Sequence, residues 1–356
     1  MRPLRLVAAH GGPRARGVAI GRALKTEIAA HLDAWRGSIV PPGGGDVRDY
    51  VADLLRETDF KTAIRRHAPD LLQEIEGMAE GAGLAPDDIH ALQLLDEEWA
   101  YRARRSAQRS PQKCSSLAIA SSDGPTWIGQ NIDLGAYTDG YQAMLRIGPD
   151  GDKPAALVFT TAGMIGLMGV NAAGVGVCVN ALPQLPNAAQ GLPVAFVLRR
   201  LLQMHGLDEA SELVLSLPHA TNQHYVIAAP GGVRSFEASA AGVVEHRPDD
   251  PSRVFHTNHP LTALASPEAP GAWENSEARL RSLTDRLAAG APGLGEIEAA
   301  LCARDDPSHP VCRSGGGRYG FTTGSMISEL SPGRVASWAS AGPPDAGGYH
   351  AFELSD

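Results

Sequence analysis

The feature that most constrains this chain is a change of pattern near residue 113. Before it, apolar residues recur at the three- and four-residue steps of amphipathic helices; after it, they fall in short runs separated by turn residues. A fold must therefore join a helical segment to a set of hairpins, an α+β layered arrangement. None of the runs reaches the roughly 18 apolar residues of a membrane span, and none follows the basic residues 1–5 as in a signal peptide.

Helix signals are dense in the first hundred residues. Ile20, Leu24, Ile28, Leu32 and Trp35 form one apolar stripe, and Pro41-Pro-Gly-Gly-Gly45 breaks it. Pro69 and Pro86 each stand at a first helical position followed by acids, and Ile89, Leu92, Leu95 and Trp99 supply one buried face. The basic stretch 102–113 reads as an exposed linker. Beyond it, 117–120 and 127–131 flank Ser121-Ser-Asp-Gly-Pro125 as a hairpin. Hairpins follow at 143–147 with 155–160, at 165–170 with 175–179, and at 225–229 with 233–237. Helices are expected near 194–204, 208–215, 274–289 and 294–303, before closing strands near 322–328 and 334–340.

Composition narrows the class. With 356 residues, 43% of them apolar and 20% charged, the chain suits one large globular domain or two small ones. Thirty-one basic against 40 acidic residues, net −9, argue against a nucleic-acid partner. The four cysteines (Cys114, Cys178, Cys302, Cys312) are too sparse for a disulfide framework, which suits a cytoplasmic location. No phosphate loop, H-E-x-x-H or G-x-S-x-G occurs. Gly174-Val-Gly176 opens like a dinucleotide fingerprint but is better read as a hairpin turn. Cys302, His309 and Cys312 fit no standard zinc spacing.

Cys114 stands where the linker ends and the strand pattern begins. A thiol there becomes a chain terminus if the preceding bond is cut. A terminal cysteine carries its own nucleophile and, in its α-amine with pKa about 7.7–8, its own base. The alternative is a small buried thiol opening a strand.

The segment Cys114-Ser-Ser…Gly129-Gln-Asn-Ile-Asp133 resembles the signature of the acyl-CoA:6-aminopenicillanic acid acyltransferase family (peptidase family C45) of the Ntn hydrolase superfamily. Gly163-Met-Ile-Gly-Leu-Met-Gly-Val-Asn-Ala-Ala-Gly-Val-Gly-Val-Cys-Val-Asn180 is similar to its glycine- and asparagine-rich hairpin. Glu74-Ile-Glu-Gly-Met-Ala-Glu-Gly-Ala-Gly83 is similar to its propeptide motif. The likeness runs from about residue 16 to about 340. It implies a four-layer αββα sandwich of the Ntn hydrolase type and a precursor that cuts itself between Lys113 and Cys114. The products would be a helical fragment 1–113 and a catalytic fragment 114–356, packed as one domain. Lys113 departs from the glycine common at that place, which bears on the ease of scission.

The resemblance also implies roles. Cys114 is the nucleophile, and the Asn258 amide in His256-Thr-Asn-His259 donates to the oxyanion, a contribution of about 3–4 kcal/mol in comparable sites. Asp133 orients the α-amine or binds a substrate nitrogen, the alternative being a plain Asx turn. Arg318, with Arg313 next in line, is the late-chain arginine expected to contact substrate. His256 and His259 are supporting residues. No cofactor or metal is implied. The expected substrate is a small acyl amide or acyl-CoA, and the fragments would persist as a heterodimer, with homo-oligomerisation left open. The reading is a self-processing amidohydrolase working through a Cys114 thioester. Its rivals are an acyltransferase with an amine acceptor, an uncut Cys–His hydrolase using His224, His256 or His259, and a non-catalytic scaffold.

Overall fold

The computed structural model describes residues 4–105, 113–264, 273–315 and 320–354. With strands numbered in chain order, one sheet runs β1 (Arg5–Ala9), β4 (Gln142–Ile147), β5 (Ala156–Thr161), β6 (Met168–Asn171), β7 (Gly176–Ala181), β8 (Gln223–Ala229), β9 (Gly232–Ser239), β10 (Gly242–Glu245). The facing sheet runs β11 (Arg253–His256), β2 (Lys113–Ile119), β3 (Thr126–Leu134), β12 (Phe321–Ser331), β13 (Arg334–Ala341), β14 (His350–Phe352). Helices α1 (Pro13–Ala23), α2 (Lys25–Ser38), α3 (Val47–Glu57), α4 (Phe60–His67), α5 (Pro69–Ala82), α6 (Pro86–Leu92) and α7 (Leu95–Ala103) share a layer outside the first sheet with α8 (Val194–Leu201) and α9 (Leu207–Ser216). The second sheet is covered by α10 (Glu274–Leu287) and α11 (Leu294–Leu301). The four layers α, β, β, α are those expected.

Alternation along β2 sorts its side chains between two cores. Cys114 and Ala118 join Ile128 and Ile132 in the core between the sheets. Leu117 and Ile119 join Leu283, Leu287, Ile297 and Leu301 under α10 and α11. Among the described residues no helix is long and apolar enough to cross a membrane.

Three local readings need correction. The helical first third also contains a strand: β1 pairs in parallel with β4, so residues 5–9 are hydrogen-bonded into the first sheet. The stripe from Ile20 to Trp35 belongs to two helices, broken at Leu24. The first is held tightly against α5 by glycines. A Cβ on Gly17 or Gly21 would lie 1.9 or 2.2 Å from the carbonyl oxygens of Glu74 and Met78, so the backbones touch where only glycine fits. The stripe from Ile89 to Trp99 is likewise divided. Gln93 Nε2 donates to the Ile89 and Gly163 carbonyls and its Oε1 accepts from Ile165 N–H, so its side chain ties the bend between α6 and α7 to the first sheet's β5–β6 loop. The short pairings of β10, β11 and β14 also lie outside the sequence-based expectation.

Residues before 113 are built into the rest. Buried Glu74 of α5 binds Arg16 of α1 at 3.1 Å and Arg199 of α8 at 2.8 Å. Glu97 of α7 accepts from Val194 N–H at 3.0 Å and Thr221 Oγ1 at 3.1 Å.

Candidate active site

Strand β2 begins at Lys113, so the residues on both sides of the expected cut lie in regular backbone paired with β3, Lys113 opposite Asp133 and Cys114 opposite Ile132. Cys114 is 4% exposed. Burial, and then the negative charge of Asp133, push its thiol up to about 12, with a backbone bond to Asp133 opposing the rise. The thiolate is therefore scarce at neutral pH in the uncut chain, and the nucleophile needs a base.

The polar groups meet on the main chain of Cys114. Its N–H donates to Asn258 Oδ1 at 2.7 Å. Its carbonyl accepts from Arg279 Nη1 at 2.5 Å. The same guanidinium donates to Ser115 Oγ at 2.8 Å and, through Nη2, to Asn258 Oδ1 at 2.8 Å. Two donors on Oδ1 fix the amide's orientation, because the flipped form would face N–H with N–H. Asn258 Nδ2 then points to the Ala181 carbonyl at 3.0 Å. Ala181 and Cys114 line one cavity.

Asn258 follows β11 and is clamped to the first turn of α10. Its N–H donates to Ser276 Oγ at 2.7 Å, Thr257 Oγ1 donates to the Ser276 carbonyl at 2.9 Å, and His259 Nδ1 lies 2.8 Å from Ser276 Oγ. His256 Nε2 meets Glu237 Oε1 at 3.0 Å and its ring stacks on His224 with centroids 3.6 Å apart. His256 and His259 are thus bonded to Glu237 and Ser276 on either side of Asn258. Three residues beyond Ser276, Arg279 turns from α10 toward β2. Burial lowers its pKa to about 10, and it remains cationic at neutral pH.

Arg279 is the residue that sequence reasoning missed. Its signal was available: Ser276, Arg279, Leu283 and Leu287 recur in helical step and are all buried, which puts an arginine on an apolar face. A charge there requires partners.

Asp133 lies 1% exposed at the end of β3. Thr322 Oγ1 donates to its Oδ1 at 2.7 Å, and Arg313 Nη1 lies 3.7 Å from Oδ2. Burial raises its carboxyl to about 6, against the pull of Arg279 and Arg313. Among the described residues Arg313 is the late-chain arginine beside this group, anchored because its N–H donates to Thr322 Oγ1 at 2.9 Å and its carbonyl accepts from Thr322 N–H at 3.1 Å. Arg318, the first choice from sequence, lies outside the described residues. Lys113 shares this crowded corner: burial, then Arg313 and Arg279, bring its ammonium down to about 8. On the other side of β2 the Cys114 cavity is mainly apolar, walled by Leu95, Ile132, Leu134, Met164, Leu167, Val179 and Leu198.

Two other readings resolve locally. Gly174, at φ +85°, turns the hairpin between β6 and β7. Cys312 Sγ donates to Asp345 Oδ1 at 3.3 Å and His309 Nδ1 pairs with Asp306 at 3.1 Å, contacts that leave these side chains in separate local pairs.

The structure is a four-layer sandwich with a buried cysteine on an inner strand, met by an asparagine and an arginine. The chain belongs to the acyl-coenzyme A:6-aminopenicillanic acid acyl-transferase family, whose profile matches residues 120–323. That stretch contains Asp133, Asn258, Arg279 and Arg313 and begins after Cys114. The 40 kDa form of the acyl-coenzyme A:6-aminopenicillanic-acid acyltransferase of Emericella nidulans is 28% identical over 319 residues, covering 86% of this chain and 84% of the relative. Among solved structures, an N-acylethanolamine-hydrolyzing acid amidase ortholog of Caenorhabditis elegans is similar at TM-score 0.44 and 17% identity, over 62% of this chain and 94% of that one. Penicillin V acylase of Agrobacterium tumefaciens is similar at 0.42 and 14%, over 64% and 83%. Membership of this acyltransferase family makes the protein an enzyme.

Proposed function

We propose that the chain cuts itself between Lys113 and Cys114 and that the freed cysteine cleaves a small linear N-acyl amide through a thioester. The observation that carries this reading is the grip on Cys114 itself, N–H on Asn258 and carbonyl on Arg279, with the thiol side opening on an apolar cavity. In scission the Cys114 thiol attacks the Lys113 carbonyl, the acyl group passes from nitrogen to sulfur, and water opens the thioester. The new α-amine inherits the Asn258 contact and serves as base, where the uncut chain has only a raised thiol. In turnover Cys114 attacks the substrate carbonyl, the Nδ2 hydrogen of Asn258 faces the oxyanion, and the amine departs before water enters. Asp133, between Thr322 and Arg313, orients the α-amine through the end of β3. Fragments 1–113 and 114–356 stay together because β1, Glu74 and Glu97 are bonded across the cut.

Denaturing electrophoresis and intact mass test this reading. Wild type should give two fragments meeting at 113/114, and Cys114→Ala one chain without amidase activity. Full activity in an uncut wild-type chain overturns the mechanism. A second reading, transfer to an amine acceptor, is favoured by the activity in the name of the Emericella relative. Adding a primary amine at rising concentration separates the two: free acid should dominate for a hydrolase, and amide should replace it saturably for a transferase.

A further inference from the structure

Asn258 has to meet both sheets at once. Its Oδ1 takes the Cys114 N–H of β2, and its Nδ2 reaches the Ala181 carbonyl of β7 in the facing sheet. Its place therefore depends on how the two sheets are held together beside it. Glu237 of β9, a carboxylate the reading above leaves unused, does this. It is buried, and it accepts from the segment that carries Asn258. Oε1 accepts from His256 Nε2 at 3.0 Å and Leu261 N–H at 2.5 Å. Oε2 accepts from Thr262 N–H at 3.2 Å and Thr262 Oγ1 at 2.6 Å. One side chain of the first sheet thus clasps the loop that follows β11 on both sides of Asn258. His256 Nδ1 faces another acceptor, the Thr257 carbonyl at 3.0 Å, so each ring nitrogen donates and the contact is a buried ion pair. Burial works against the carboxylate, but the bonds from His256, Leu261 and Thr262 outweigh it and hold Glu237 below the usual carboxylate range.

Between the ends of the loop, Asn258 N–H donates to Ser276 Oγ at 2.7 Å and its carbonyl accepts from Gln184 Nε2 at 2.8 Å. Those bonds hold one residue, whereas Glu237 holds both ends. A buried ion pair is a poor source of stability, because desolvation offsets much of its attraction. What Glu237 supplies is direction. We propose that Glu237 is a positioning residue of the active site, holding the segment 256–262 across the two sheets so that Asn258 stays on Cys114. This rests on the role given to Asn258 above, and Glu237 acts through that residue.

Exchange of the residue 114 amide reads the Asn258 contact without any substrate, because that N–H donates to the asparagine side chain. The uncut Cys114→Ala chain keeps this backbone donor, and NMR compares it with and without Glu237→Gln. The glutamine keeps one oxygen for part of the donors and turns an NH2 group on the rest. Exchange at residue 114 should quicken about tenfold or more, toward the rate in Asn258→Ala, while β12 in the same sheet keeps its rates. A general loss of stability would speed both alike. In the processed enzyme acting on hexanoyl-4-nitroanilide, Glu237→Gln should lower kcat about tenfold or more and leave KM within about twofold. Thr262→Val removes one donor and keeps the ion pair, so it carries the test at about threefold in both measurements even where Glu237→Gln folds poorly. Unchanged exchange at residue 114, or unchanged kcat in a variant whose residue 114 exchanges faster, overturns the inference. Faster exchange alongside a wild type that neither cuts itself nor turns over the anilide would overturn the thioester reading and uphold the clasp. Turnover by wild type with exchange unaltered in both variants would overturn the clasp alone.

Discussion

The two faces of β2 at the proposed cut differ sharply. Toward α10 and β12 lie Lys113, Ser115, Asp133, Arg279, Arg313 and Thr322, a buried charged cluster. Toward the facing sheet lies the Cys114 cavity, with aliphatic walls. The thiol is on the second face, and burial there pushes it up to about 12. The charged groups grip the strand's main chain rather than the sulfur. The contrast teaches that charge here holds the main chain of Cys114, while burial on the apolar face keeps its thiol protonated.

The largest effect expected on this contrast comes from the charged face. Arg279→Met removes the donors to Cys114 O, Ser115 and Asn258 and leaves Asp133 with less compensation. Scission should stop, and the cost of breaking a buried charge network is about 3–5 kcal/mol in stability. Electrophoresis and urea denaturation read the two effects. Arg279→Lys should fail to restore scission, because one ammonium cannot reproduce a directed fork. Normal scission in Arg279→Met would show that the cavity face alone suffices.

Next is Asn258→Ala, which removes the acceptor of the Cys114 amine and the donor to the Ala181 carbonyl together. A fall in kcat of about 100- to 1,000-fold, measured on whatever fraction is processed, is expected, with a lowered denaturation midpoint because the Cys114 N–H and Arg279 Nη2 lose their acceptor. Unchanged kcat would reduce Asn258 to a loop anchor.

A pH series sharpens the comparison further. Asp133 is raised to about 6 in the fold from an ordinary 3.8. Between those values the folded state holds a proton that the unfolded state lacks. Relative to Asp133→Asn, wild type should therefore gain stability as pH falls from above 6 toward 4, and lose it as pH rises through 6. Turnover should move the opposite way, declining below about pH 6 as the carboxylate is lost. Urea midpoints and initial rates across that range check both signs.

The smallest effect is expected at Lys113. Its ammonium, lowered to about 8, loses its proton as pH rises past that value, relieving the crowding with Arg313 and Arg279. Scission of newly folded chain should quicken severalfold from pH 7 to 9. Lys113→Gly should be faster at pH 7 and flatter across the range. A slower Lys113→Gly would give the lysine a positive role in its own excision.

Much of the molecule was legible from local pattern. Helices α10 and α11, the β2–β3 hairpin and the β6–β7 turn follow from periodicity and turn chemistry, which act over a few residues. Cys114 was found because two periodicities meet beside it. Asp133 and Asn258 came from motif likeness, and their surroundings came only with the fold. Arg313, named second from sequence, lies 3.7 Å from Asp133 because its main-chain bonds to Thr322 hold it beside β12, a contact that only the fold shows. Arg279 is 165 residues from Cys114, so the pair leaves no local trace. The breaks at Leu24 and Gln93 are also tertiary: glycine contact with α5 and a side chain bonded to the β5–β6 loop override a continuous helical stripe. By itself the sequence determined most helices and hairpins and the place of Cys114 at the change of pattern, because those depend on neighbours along the chain. Which charges surround that thiol only the tertiary structure decided, because burial removes water and leaves distant side chains as the available partners.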